Sequence, residues 1–101
     1  MEDTFEFLLH SARLIQLGRY NDEDVNFIHE LVLSVDNDLL IFYNNNSTIP
    51  KLGNDLKIYK KIVQFLIEYF EETEEYEKCI ELTDKLNQTN YIIQNQISWA
   101  Y

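Results

Sequence analysis

What the chain has little of bounds it first. It carries one cysteine, Cys79, one proline, Pro50, and two glycines, Gly18 and Gly53. A lone cysteine forms no internal disulfide, so the fold is expected to stand without a staple, in a reducing compartment. So few Gly and Pro leave no supply of tight turns for an all-β fold. Cations are scarce: 8 Lys and Arg stand against 18 Asp and Glu, for a net charge of −10. Such a body is repelled by duplex nucleic acid and by anionic membranes. Direct nucleic-acid binding is therefore not expected, and a protein partner with a basic surface is. No apolar run approaches the ~18 residues of a membrane span. The opening Met1-Glu2-Asp3 is acidic where a secretion or transit signal would be basic. The expected location is cytoplasmic.

Chemical signatures are also missing. Gly18 and Gly53 are isolated, so no Gly-rich loop cradles a phosphate. His10 and His29 lie far apart in sequence, with no HExxH and no Cys cluster to make a zinc site. Asp36 and Asp38 flank Asn37, and Asp22 and Asp24 flank Glu23, but on a helix i and i+2 point apart. These residues also lack the Gly and terminal Glu of a calcium loop. No catalytic residue, metal ligand or cofactor is expected, and the reading is non-catalytic.

What is present is apolar and helical. The hydrophobic fraction is 46%, with seven Tyr, six Phe and one Trp. That is too rich for a disordered chain and gives large side chains to bury. At 101 residues one domain, 1–101, is expected. Frequent Asn, Ile, Tyr and Lys match the codon usage of AT-rich genomes, such as many phages and low-GC bacteria carry.

The spacing predicts an all-α bundle of four to five helices. A first helix, Thr4 to Leu17, places Phe5, Leu8, Leu9, Ala12 and Ile15 on one face, with Asp3 as its cap and Gly18 as the C′ residue. Asn21 caps a second, whose first turn holds Asp22, Glu23 and Asp24. Its seam of Val25, Ile28, Val32, Val35, Leu39 and Phe42 is of the kind bundles use, and the polar stretch Ser34 to Asp38 is expected to kink or split it. A competing hairpin around Asp36-Asn37-Asp38 lacks the usual turn glycine. Residues 44–53 form the one clear loop between two helical halves.

The third helix, Asp55 to Glu72, is apolar over most of its circumference and should be the centre of the fold. Its charges oppose the helix dipole, with Lys57, Lys60 and Lys61 early and Glu68, Glu71 and Glu72 late. One explanation is that the lysines face carboxylates elsewhere in the bundle. Thr73 is expected to cap a fourth helix, Glu74 to Asn87, with Tyr76, Cys79, Ile80, Thr83 and Leu86 inward. A last helix from Asn90 would bury Ile93, Ile97 and Trp99.

Within residues 71–86, Tyr76-Glu77, Cys79 and Leu82-Thr83-Asp84 stand at the aromatic-Glu, small-residue and Leu-x-Asp places of the second half of a UVR motif, which the segment resembles. Thr83 replaces the basic residue common before that Asp. The hairpin also resembles a tetratricopeptide helix pair. In both families such hairpins serve protein–protein contact, which is what the resemblance implies here. No second repeat is visible, so a repeat array is not supported.

Six glutamates crowd into Glu68–Glu77: Glu68, Glu71, Glu72, Glu74, Glu75 and Glu77. On an unbroken helix Glu68, Glu71, Glu72 and Glu75 would lie at i, i+3, i+4 and i+7, a face able to occupy a basic groove meant for nucleic acid. A plainer role is stabilising the N-terminus of the next helix. Tyr20, Tyr43, Tyr91, Trp99 and Tyr101 sit at expected element ends, where aromatics anchor interfaces; Trp99 and Tyr101 are the leading candidates. The expected function is an acidic protein-binding protein, in its sharper form a phage-type inhibitor of a nucleic-acid-handling host protein, acting in the host cytoplasm. The alternative is a helical adaptor or assembly protein acting through the hairpin or the apolar seam, including self-association through seam residues such as Val32 and Leu39.

Overall fold

A computed structural model describes residues 2–95 of the chain. Five α-helices follow in order: α1 (Glu2–Leu17), α2 (Asp22–Leu33), α3 (Asn37–Asn44), α4 (Asp55–Glu72) and α5 (Tyr76–Gln94), with a 3₁₀ turn at Pro50–Leu52. Among the described residues there is no strand, so the hairpin around Asp36 does not form. The expected Ile97, Trp99 and Tyr101 contacts lie outside the described residues.

Local chemistry sets most boundaries. Gly18 takes φ +68° and ends α1, its N–H donating to Ile15 O and that of Arg19 to Leu14 O. Helix α1 begins at Glu2, ahead of the expected Thr4, so Asp3 lies within it. Asn21 and Asp24 make a reciprocal capping box at the start of α2. The seam helix splits without Pro or Gly. Ser34 Oγ donates back to Leu31 O at 2.6 Å, and Asp36 Oδ1 accepts the Leu39 N–H at 2.8 Å. Short polar side chains thus offer the backbone a better partner than a continued helix. Lys85 on α5 then donates to Val35 O at this corner.

The 44–53 loop is fastened rather than slack. Asp55, a buried carboxylate, accepts from Thr48 N–H at 2.7 Å and Thr48 Oγ1 at 2.8 Å, while its own N–H donates to Asn46 O. Asn54 caps α4 by accepting the Lys57 N–H, and its amide donates to Asn44 Oδ1 at 2.7 Å.

Helix α4 packs against each of the other four helices, as an all-round apolar helix must. Its Leu56, Tyr59, Ile62, Val63, Leu66 and Phe70 are buried together with Leu8 of α1, Val25, Ile28 and Val32 of α2, Leu40 and Tyr43 of α3, and Leu82 and Ile92 of α5. One core therefore joins all five helices. Val32 lies fully inside it, out of reach of any partner of the folded protein.

Two expectations at the C-terminal side need correction. The fourth and fifth helices are one: α5 runs unbroken through Asn87–Asn90, held by Leu82, Thr89 and Ile92 beneath it and by Thr89 Oγ1 donating to Lys85 O. Its phase also differs. Cys79, Leu82, Leu86, Thr89 and Ile92 face the bundle, whereas Tyr76, Ile80 and Thr83 face outward. Lys57, Lys60 and Lys61 have no carboxylate within ion-pair distance; among the described residues the one ion pair is Glu75–Lys78.

Two buried tyrosines make opposite use of their hydroxyls. Tyr59 donates to Val32 O at 2.9 Å, and burial raises its pKa. The Tyr43 hydroxyl is buried among Phe5, Phe42 and Tyr59 with no hydrogen-bond partner among the described residues, and burial pushes its pKa up to about 12. An unmet buried hydroxyl costs about 1–3 kcal/mol, and a made bond contributes about 1. Tyr43→Phe is therefore expected to hold or raise stability, and Tyr59→Phe to lower it by about 1 kcal/mol. Urea denaturation of the two variants checks this, and equal losses in both would contradict it.

Candidate functional site at the α4–α5 elbow

The junction of α4 and α5 is a three-residue turn that reverses the chain. Glu74 adopts φ +61°, and the turn closes with Glu74 N–H on Glu71 O and Glu75 N–H on Phe70 O at 2.8 Å. This is the bonding pattern that Gly18 makes after α1, built here on a glutamate. Thr73 is therefore the C-cap of α4 and not the cap of the next helix, and Glu75 precedes α5 without a side-chain cap bond.

The end of α4 at Glu72 breaks the expected four-glutamate face. Glu68, Glu71 and Glu72 remain exposed on the last turns of α4. Glu75 leaves that row and is drawn inward. It accepts from Lys78 Nζ at 2.8 Å and Thr73 Oγ1 at 2.9 Å, and these partners hold its carboxyl below the usual carboxylate range.

Lys78 organises this corner. Besides Glu75, its ammonium stands 4.7 Å from the centre of the Phe70 ring and 3.5 Å from Asn26 Oδ1 on α2. Phe70 in turn meets the edge of His29 at 5.1 Å. On the α2 side Tyr69 donates to Asp22, which pushes the phenol up to about 12. Tyr20 stacks edge-on against Phe65 and Tyr69. The elbow is thus braced on α2 by Lys78 and Tyr69, and its shape is set before any partner arrives.

With Lys78 engaged internally, Glu68, Glu71, Glu72, Glu74, Glu77 and Glu81 stand exposed around the turn, with no cation in ion-pair reach among the described residues. Beside them are two apolar side chains that sequence periodicity had assigned to the core. Tyr76 is 59% exposed and Ile80 65%. One turn apart on α5, they are neighbours on its surface, and Glu77 and Glu81 run alongside at the same spacing. The sequence held the signal for this patch, since α5 carries two apolar stripes; periodicity alone does not say which one faces the core.

The remaining candidates fall elsewhere. Trp99 and Tyr101 lie outside the described residues. Tyr43 is fully buried, Tyr20 is half-buried against α4, and Tyr91 is exposed on α5. Cys79 faces the bundle, its Sγ 3.6 Å from Ile67 O; burial first, then Glu71 and Glu75, raises its pKa, which is the reverse of an activated nucleophile. Among the described residues no group of three His, Cys, Asp or Glu side chains could hold a metal ion, and no helix is long and apolar enough to cross a membrane. Comparison with protein-family models, curated proteins and solved structures finds no match to this chain.

Two outcomes follow from the elbow's geometry. Glu74→Gly removes the strain of a left-handed residue bearing a Cβ, worth about 1 kcal/mol, so its urea midpoint should rise; a fall would contradict the turn. His29 is buried with Nε2 unpartnered, and desolvation first, then Lys78, lowers its pKa. The unfolded chain, titrating near 6.5, therefore takes up the proton first. The stability given by neutral His29 is full above that pH and is lost as pH falls toward the lowered folded value. Between about pH 7.5 and pH 5.5 the wild type should lose more stability than His29→Gln; equal losses would show that His29 does not carry the effect.

Proposed function

We propose that this is a non-catalytic protein-binding protein that engages a basic partner surface through the α4–α5 elbow. The observation that carries the reading is the exposed pair Tyr76 and Ile80, lying in a field of unpaired glutamates on a braced turn. An apolar anchor with a polar rim is the anatomy of protein interfaces. The resemblance of residues 71–86 to hairpins that serve protein contact supports the same reading.

Magnitudes divide the labour. Burying a side chain such as Ile80 contributes about 1.5–3 kcal/mol. An exposed ion pair contributes about 0–1 kcal/mol. Affinity then rests on Tyr76 and Ile80, while the glutamates steer association and select a cationic partner. In its sharper form the protein is a phage-type inhibitor, acting in the host cytoplasm on a nucleic-acid-handling protein. Its size, its charge and its AT-rich composition support that form. Competition with nucleic acid then comes from the clustered charge of the elbow, since Glu75 no longer extends a straight row of carboxylates.

The test is capture from host lysate with four baits: wild type, Tyr76→Ala/Ile80→Ala, Glu71→Lys/Glu72→Lys and, as a control, Phe7→Ala, an exposed aromatic of α1 that meets Phe27 of α2 edge-on. The same basic protein should be retained by wild type and by Phe7→Ala. It should leave the glutamate variant at markedly lower salt, and the anchor variant should lose it about tenfold faster. Retention of that protein by all four baits would refute the elbow as the binding face.

A further inference from the structure

A second feature lies at the other half of α4. The N-terminal half of that helix, the middle of α1 and the 3₁₀ turn enclose a groove of about 360 Å³. Its floor is Ile58 and Ile62 of α4, and α1 contributes Leu9, Ala12 and Ile15. The third wall explains an oddity of the Asn-rich loop. Ile49 and Leu52 are the two aliphatic residues between Asn44 and Gly53, and both line the groove, with Leu52 half exposed at its edge.

That wall is held in place. Asp55 grips Thr48, Asn54 grips Asn44, and Gly53 at φ +90° turns the chain from the 3₁₀ turn into α4. At that φ a residue bearing a Cβ is strained, and its Cβ would also displace the Lys57 side chain. The groove is therefore preformed, as small-molecule sites usually are, and its volume falls at the lower end of their range.

Its charge is the reverse of the rest of the protein. In a chain of net −10, the two charged residues among the described residues that line this groove are both cations, Arg13 and Lys61. Neither cation is in an ion pair among the described residues. An apolar slot closed on three sides, with two unpaired cations beside it, matches one alkyl chain carrying an anionic head. It is too short and too bounded by the loop for a docked helix, which needs anchors over several turns.

We propose that this groove binds a free alkyl carboxylate, its chain against Ile58, Ile62 and Leu52 and its head group between Arg13 and Lys61. The binding is non-covalent and independent of the elbow. It also gives Lys61, one of the early lysines of α4, a purpose.

The probe is dodecanoate, kept below its micelle concentration and titrated into the isotopically labelled protein. Saturable shifts are expected at the Ala12, Ile15, Leu52 and Ile62 methyls, with dodecanol binding roughly tenfold more weakly. Arg13→Gln/Lys61→Gln should weaken dodecanoate by a similar factor while leaving the thermal midpoint unchanged, because neither cation is paired. Leu52→Glu, at an exposed edge, should abolish binding in a folded protein. Equal binding of dodecanol and dodecanoate, shifts confined to other surfaces, or no saturable shift would each overturn the proposal.

Discussion

The rest of this structure depends on the cover that α4 requires. Tyr59, Ile62, Val63, Leu66 and Phe70 leave that helix no dry side of its own, so it must be enclosed. Four helices surround it, and each brings one apolar stripe to a shared core. The polar residues of α4 are left on one strip, and that strip carries cations at its start and carboxylates at its end. Both functional features of the protein grow from it. Lys61 borders the apolar groove at one half, and Glu68, Glu71 and Glu72 lead into the acidic elbow at the other.

Much of this arrangement was legible in the sequence because it rests on local chemistry. Gly18 after a periodic run and Asn21 before an acidic first turn are stop and start signals whose bonds form within three to five residues, and the structure places those helix ends there. The central role of α4 was legible for a different reason. An all-round apolar pattern has one physical solution whatever the neighbours are.

The elbow and α5 were less legible, and the reasons are specific. Glu74 takes a backbone conformation that sequence reading reserves for Gly or Asn, so the turn carried no visible mark and Thr73 looked like a cap. On α5 the stripe Tyr76–Ile80 is more apolar than the inward-facing Cys79 and Thr89, and only the placement of α3 and α4 decides which face turns inward. Asn87 and Asn90 looked like a break, yet inward-facing neighbours at Leu86, Thr89 and Ile92 carry the helix through, which is tertiary packing overriding weak propensity. The groove beside Arg13 and Lys61 depends on a loop folding back onto α1, and no pattern in a single segment encodes that meeting.

Amide hydrogen exchange measured residue by residue tests the covered-centre account most directly. If α4 organises the bundle, its amides from Tyr59 to Leu66 should exchange only through global unfolding, with protection equal to the stability measured in urea. The last turns of α5 and the loop before α4 should open at lower cost. Exchange of Tyr59 to Leu66 through local opening, at a free energy well below the global value, would contradict it.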